Sequence, residues 1–304
     1  MGVLNSSIKV GNMELANRLV QAPMATWLSQ SGTVTNDMIN YYRERAGKVG
    51  LIVLEYAYIS PEGRAGENQL SIADDADIIG LKRLVEAIHE QGTTHVFAQI
   101  NHAGSAGGYE VQGQQDIDRI VSKFAAAACR AKSVGFDGVE IHAAHGYLLN
   151  QFYSPLTNHR TGKYGGDTLV GRTRLTAEVI QAVRKAVGTK YPLSVRFGAC
   201  DYMPGGSTIE EAPGAASLYE QCGVDMISVS GGLNGFTVKG DNRPGYFREL
   251  SSAIRQNVSV PVMVTGGIWT VNDAEEILTN QAADMIGVGR PILRNPNFAE
   301  YLLH

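Results

Sequence analysis

The sequence predicts an α/β protein folded as a (β/α)8 TIM barrel, and three observations point there. Eight short apolar runs alternate with longer amphipathic stretches along the whole chain. The runs are β-branched and bounded by Gly, Pro or polar residues, as buried parallel strands are. The length of 304 residues suits one barrel of about 250 residues plus insertions. A doubly wound open sheet would carry a Gly-rich turn after its first strand. Here Ala22-Pro23-Met24-Ala25 follows instead. No linker, low-complexity tract or short-period repeat interrupts the chain, so one domain over 1–304 is expected.

Taken in order, strands are expected over 18–22, 51–58, 94–100, 138–142, 193–198, 226–229, 260–265 and 285–288. Helical periodicity covers 36–48, 78–91, 116–134, 171–187, 209–221, 246–256 and 272–278, with a last helix starting near Pro296. Thr208 with Glu211 has capping-box spacing, and Asn272 precedes Asp273, Glu275 and Glu276 at a helix start. Gly92, Gly135, Gly188 and Gly223 stand where helices should stop. Two connections are long, 142–167 and 231–246. Long ordered loops in a compact domain are usually functional.

Composition excludes several classes of function. With 26 basic and 30 acidic residues and a net charge of −4, no electrostatic footprint for nucleic acid or anionic membrane exists. No apolar run approaches the ~18 residues of a membrane helix. Residues 1–7 lack the basic and apolar regions of a secretory signal. Gly2 with Ser6 fits a loose myristoylation pattern, with no polybasic partner following. Cys129, Cys200 and Cys222 have no CxxC spacing, and three cannot all pair. Reduced thiols in a cytoplasmic protein are therefore expected, rather than disulfides, zinc or an iron–sulfur cluster.

A barrel places its active site at the C-terminal strand ends. The strand ends there deliver Pro23, Met24 and Ala25; Glu55, Tyr56 and Ala57; Gln99, Asn101 and His102; and Glu140, His142, His145 and Tyr147. The later strands deliver Arg196; Ser230, Gly231 and Gly232; Thr265, Gly266 and Gly267; and Gly287, Gly289 and Arg290. The last two sets resemble paired phosphate cradles. Glycines let backbone N–H groups approach an anion, and Arg290 can add charge-assisted bonds. A buried Arg196 needs an anionic or strongly polar partner, either Glu140 or Asp201 or the electron-rich part of a cofactor. Gln99, an amide on an apolar strand, suits a flat heterocycle with alternating donors and acceptors. His142, His145 and Tyr147 form the densest polar cluster. Imidazoles can stabilise charge growing on a carbonyl oxygen, and a phenol can give a proton. A metal site from Glu140, His142 and His145 is the rival reading, which the HxxH spacing does not decide. A metal is not the expectation.

At this point three blocks carry a family resemblance. They are Gln99–Gly104, Gly135–Leu149 (GFDGVEIHAAHGYLL) and Ser154–Gly166 (SPLTNHRTGKYGG). Together with Ala22-Pro-Met24, Thr265-Gly-Gly267 and Gly287-Val-Gly-Arg290, they resemble the old yellow enzyme family, in order and through nearly the whole chain. The HxxH form and the short Ala-Pro-Met start are more similar to its thermophilic-type bacterial branch. The resemblance implies an FMN barrel that takes hydride from NADPH or NADH and reduces activated C=C bonds. By position it implies that Ala22, Pro23, Met24, Ala25 and Ala57 line the flavin and that Gln99 bonds its pyrimidine edge. Arg196 would face N1, while Ser230, Gly231, Gly267, Gly289 and Arg290 would surround the ribityl phosphate. His142 and His145 would hold the substrate oxygen, Tyr147 would protonate Cα, and Trp27 would shape the substrate pocket.

Three departures from the family pattern carry expectations. Ala25 stands where relatives usually have a Cys or Thr donor to the flavin, which should lower the redox potential. Trp27 replaces a smaller aromatic. Ser105–Gln115 is a short bridge where relatives insert a long capping hairpin, so a more open site is expected. The chain also stops soon after Phe298. Sharing of the site through a partner subunit's arginine is therefore not expected, although a homo-oligomer remains compatible. The expected partner is a small unsaturated carbonyl compound. Same-fold alternatives are a flavin dehydrogenase or demethylase and a non-catalytic FMN or phospholigand barrel. A Schiff-base aldolase would need a strand-end lysine, and Lys163 and Lys239 sit in expected loops.

Overall fold

The computed structural model describes residues 2–304. The chain opens with a hairpin, β1 (Ile8–Val10) and β2 (Met13–Leu15), paired antiparallel. Eight parallel strands then close a ring: β3 (Leu19–Gln21), β4 (Leu51–Val53), β6 (His95–Asn101), β7 (Gly138–Ala143), β8 (Leu193–Cys200), β9 (Met226–Gly231), β10 (Val262–Thr265) and β11 (Met285–Val288). The ring closes because β3 pairs with β11 and β4 pairs with β6. A two-residue strand, β5 (Ala57–Tyr58), lies beside the C-terminal end of β6. This is the expected (β/α)8 barrel.

Each barrel strand matches an expected run to within about two residues at either end, with one exception. The run over 51–58 breaks between β4 and β5, where Glu55 N–H donates to the Tyr42 hydroxyl at 2.9 Å instead of joining a ladder. The hairpin was not legible in the sequence, because two three-residue strands are too short to show a period. Its Val10 and Leu15 pack with Val20, Leu51, Val53, Phe97, Met226, Met263 and Met285. These residues plug the N-terminal end of the barrel and leave the other end for chemistry.

Around the ring lie α1 (Asn36–Arg43), α2 (Ile78–His89), α3 (Gln114–Val134), α4 (Leu148–Tyr153), α5 (Leu169–Val187), α6 (Ala212–Gln221), α7 (Arg248–Arg255), α8 (Val271–Thr279), α9 (Arg290–Arg294) and α10 (Phe298–Leu303). In α3, Ile117, Ile120, Phe124, Ala127, Ala128, Ala131 and Val134 are buried. Their spacing of three and four residues makes one apolar stripe. Burial of each large member contributes about 1.5–3 kcal/mol. The helix stops at Gly135, which takes the left-handed φ of +104°.

Two capping assignments need correction. Thr270, not Asn272, caps α8: Asp273 N–H donates to Thr270 Oγ1 at 3.1 Å, and Thr270 N–H donates to Asp273 Oδ2 at 2.9 Å. At α6 only half of the Thr208–Glu211 box forms, with Thr208 N–H on Glu211 Oε2 at 3.2 Å. The Glu211 carboxylate is also claimed by Arg172. The short helices α4 and α9 went unseen in the sequence, one of them inside a long connection. Among the described residues no helix is long and apolar enough to cross a membrane, and the three cysteines are free.

Candidate active site

A cavity of about 400 Å³ opens at the C-terminal strand ends. It gathers most of the site residues expected from sequence: Ala22, Pro23, Met24, Ala25, Trp27, Gln99, His142, His145, Tyr147, Arg196, Gly267, Gly289 and Arg290. Three expected residues do not line it. Ala57 is buried in the β5–β6 pairing. The Ser230 hydroxyl is occupied behind His145. Gly231 ends β9, where an added Cβ would meet the Asn234 amide.

The His pair is placed by β7 and the turn that follows it. His142 leaves β7 beside its Cα partner Arg196 on β8. Its Nδ1 accepts Ala144 N–H at 3.3 Å, which leaves the ring proton on Nε2. His145 sits at φ +60°, a left-handed conformation uncommon outside glycine. Burial and then nearby Arg196 push the His142 pKa well below its ordinary value. Burial, His142 and Arg196 do the same to His145. Both rings are therefore neutral near pH 7. Such imidazoles donate hydrogen bonds without bringing a second buried cation beside Arg196. Tyr147 packs edge-on against His142, with ring centroids 5.2 Å apart.

Arg196 makes no ion pair with Glu140 or Asp201. It is buried, and its Nε and Nη1 have no hydrogen-bond partner among the described residues. Asp201 is engaged elsewhere, accepting from Ser154 Oγ at 2.6 Å, Ser207 N–H at 2.9 Å and Leu233 N–H at 2.8 Å. Glu140 does not join His142 and His145 either, since its carboxylate faces Gln99 and Ser194. Among the described residues no cluster of three His, Cys, Asp or Glu side chains is arranged for a metal.

At the opposite side, Gly266 and Gly267 turn at φ +107° and +68°. A side chain on Gly266 would collide with the Tyr246 ring. A Cβ on Gly289 would stand 2.5 Å from Met24 Sδ. Arg290 Nη2 donates to the Tyr246 hydroxyl at 3.1 Å, and that hydroxyl donates to Phe236 carbonyl O at 2.6 Å. Backbone glycines and a guanidinium meet here, as an anion site requires.

The cavity also contains Phe236, Tyr246 and Trp269, which sequence reasoning did not select, and Tyr56, which it places at a strand end without a role. Tyr246 was assigned to a helix, but α7 starts two residues later and Tyr246 closes the cavity wall. The length of the 231–246 connection was the available signal for Phe236 and Tyr246. Trp27, Tyr56, His142, His145 and Phe236 form a chain of edge-on ring contacts, with centroids 5.0–6.4 Å apart. The expected short bridge is present: one 3-10 turn at Gly104–Gly107 leads to α3 at Gln114 with no intervening hairpin.

Comparison with known proteins now decides the family. A model of the NADH:flavin oxidoreductase / NADH oxidase family matches residues 4–116 and 110–304. The chain belongs to that family. It is 37% identical over 325 residues to an NADH oxidase of Thermoanaerobacter brockii, covering 97% of this chain and 50% of that protein. It is 37% identical over 323 residues to an NADPH dehydrogenase of Bacillus subtilis, covering 97% and 93%. The chain thus spans about half the length of the first relative and nearly all of the second. A 2-naphthoyl-CoA reductase solved with 2-naphthoyl-CoA superposes with a TM-score of 0.91 at 26% identity, covering 98% of this chain and 51% of that one. These are relatives of old yellow enzyme type, whose redox pair is FMN and NAD(P)H.

The residues present fit FMN. Buried Arg196 donors without partners await an electron-rich acceptor. Ala22–Ala25 offer a flat, largely apolar wall, and Gly266, Gly267, Gly289 and Arg290 offer an anion cradle across the same cavity.

Proposed function

We propose that this chain is an FMN-dependent ene-reductase, using NAD(P)H to reduce activated C=C bonds in enones, enals or nitroalkenes. One observation carries this: two neutral imidazoles and a phenol share a cavity with a buried arginine whose Nε and Nη1 have no partner among the described residues. Bound FMN supplies the hydride chemistry. Ala22, Pro23, Met24, Ala25, Gln99 and Arg196 hold its ring, with Gly267, Gly289 and Arg290 on its phosphate. Ala57, Ser230 and Gly231 support that site from behind the wall. His142 and His145 donate to the substrate carbonyl or nitro oxygen, which makes Cβ electrophilic and stabilises the charge that develops. The Tyr147 hydroxyl gives a proton to Cα. Trp27 borders the substrate space. Being neutral, the imidazoles cannot deliver protons to the oxygen as readily as imidazolium would, which reserves protonation for Tyr147.

The test is anaerobic addition of NADPH or NADH to the FMN-loaded protein, followed by 2-cyclohexenone. The 450 nm band should bleach and then recover. Tyr147→Phe should slow recovery by about 10²–10⁴-fold and leave bleaching intact. Flavin that never bleaches would point to a binding role, and recovery unaffected by Tyr147→Phe would remove the proton-donor assignment.

A further inference from the structure

Beneath the cavity lies a polar layer set by strand register. Gln99 on β6 is the Cα partner of Glu140 on β7, and Glu140 is the partner of Ser194 on β8. All three side chains are buried and meet one another inside the barrel. Gln99 Nε2 donates to Glu140 Oε1 at 2.8 Å, and Ser194 Oγ donates to Glu140 Oε2 at 3.1 Å. Arg196 follows two residues after Ser194 on the same strand.

A carboxylate only accepts hydrogen bonds, whereas an amide has one donating and one accepting end. With one N–H of its NH2 group on Glu140, Gln99 has its carbonyl oxygen free for the cavity it lines, beside the second N–H. The Arg196 guanidinium can only donate. The floor therefore offers an acceptor beside amide and cationic donors, and suits a ligand with an N–H beside an electron-rich acceptor. The pyrimidine edge of a flavin carries both.

We propose that Glu140 is a positioning residue for the cofactor: it fixes Gln99 as an acceptor and balances the charge of Arg196 without touching the ligand. This rests on the FMN reading above. Both Glu140 oxygens accept hydrogen bonds, as those of a carboxylate do. Burial raises the Glu140 pKa overall, and Arg196, Gln99 and Ser194 offset part of that rise. Without this carboxylate, the Gln99 amide is free to present either end, and the field of Arg196 is no longer offset.

The experiment compares Glu140→Gln, Gln99→Glu and the exchanged pair Gln99→Glu/Glu140→Gln in the FMN-loaded protein. The readouts are the FMN dissociation constant and the midpoint potential, with circular dichroism and thermal melts as folding controls. Glu140→Gln should weaken FMN binding about tenfold, the cost of one misdirected buried hydrogen bond. It should also raise the potential, because Arg196 then acts unopposed on reduced flavin. Gln99→Glu sets two carboxylates against each other and should weaken binding further. The exchanged pair restores a donor at 140 and an acceptor at 99, so it should regain at least tenfold over Gln99→Glu. Should Glu140→Gln fold poorly, the exchanged pair carries the test, since it keeps every hydrogen bond of the layer.

An unchanged dissociation constant and potential in Glu140→Gln would overturn the positioning role alone. So would an exchanged pair no tighter than Gln99→Glu. Wild-type protein that binds no FMN would overturn the cofactor reading, and this inference with it.

Discussion

His145 Nε2 lies 2.7 Å from the Ser230 hydroxyl, and Arg196 Nη2 donates to that same hydroxyl at 3.4 Å. Arginine cannot accept, so Ser230 accepts from Arg196, and its O–H and second lone pair leave it able to pair with His145 Nε2 in either tautomer of that ring. His142 keeps its ring proton on Nε2, because its Nδ1 accepts a backbone N–H. Ser230→Ala removes the partner that anchors the His145 ring and holds a left-handed residue in place. Loss of one such hydrogen bond is worth about 0.5–1.5 kcal/mol. We expect KM for 2-cyclohexenone to rise about threefold to tenfold, with FMN bleaching by NADPH little changed. Steady-state kinetics beside a stopped-flow reduction trace checks both halves.

Glu55 gives a pH prediction. Its carboxylate accepts from Thr26 N–H at 3.0 Å and from the Thr26 hydroxyl, and so holds the segment that carries Trp27. Burial pushes its pKa up to about 7, against the pull of those hydrogen bonds. An unfolded Glu titrates near 4.5, so between pH 4.5 and 7 the folded state binds the extra proton. Stability must therefore fall as pH rises through that window, and level off above it. The upper bound on this contribution is on the order of 3 kcal/mol. Glu55→Gln should flatten the slope. Urea unfolding at pH 5 and pH 8 for both proteins measures it, and equal slopes would remove Glu55 as the source.

What was legible in the sequence follows from which signals are local. The barrel strands are runs buried on both faces, so residues such as Leu193–Phe197 read as strand before any contact is known. His142, His145, Tyr147 and Arg196 were legible because polar groups at apolar strand ends need a purpose. Trp269 was not, and Tyr56 was placed at a strand end without a role, because an aromatic residue looks the same whether it faces core or cavity. Ser230 sits at a strand end as expected, but only the contact with His145, 85 residues away, turns it behind the wall. The role of Glu140 depends on register between neighbouring strands, which no single stretch of sequence contains.

Asp201 ties three connections at the C-terminal end of the barrel together, one of which lines the cavity. Its buried carboxylate accepts from Ser154 after α4, from Ser207 on its own loop, and from Leu233 in the connection that carries Phe236. Asp201→Ala strands those donors and opens a small void. Losing a buried hub of this kind costs about 3 kcal/mol. The 231–246 connection should loosen before the barrel does. Limited proteolysis should cut there first, at denaturant concentrations where far-UV circular dichroism is still native. A variant that resists cleavage as well as wild type would show that the loop is held by other contacts.

At the opposite end of the barrel, Asp137 binds two imidazoles at once. His89 Nε2 is 2.8 Å from Oδ2, His95 Nδ1 is 3.4 Å from Oδ1, and Val96 N–H donates to Oδ2 at 2.8 Å. The hydrogen bond to Asp137 raises the His95 pKa against its partial burial. The same two imidazoles and Val96 N–H lower Asp137, against burial. The signs give a window. The Asp137 contribution is present above the unfolded Asp value and is lost as pH falls through its depressed folded pKa. The His95 contribution is complete below its unfolded value of about 6.5 and is lost as pH rises through its raised folded pKa. The clamp is therefore tightest between these limits, on the mildly acidic side of neutral. Asp137→Asn keeps an acceptor for Val96 but loses the charge. It should cost about 1 kcal/mol near pH 6 and less near pH 9, on the side where His95 gives up its proton. Chemical denaturation at those two pH values measures the difference. A cost that is equal at both would show that Asp137 acts through its hydrogen bond to Val96 rather than through its charge.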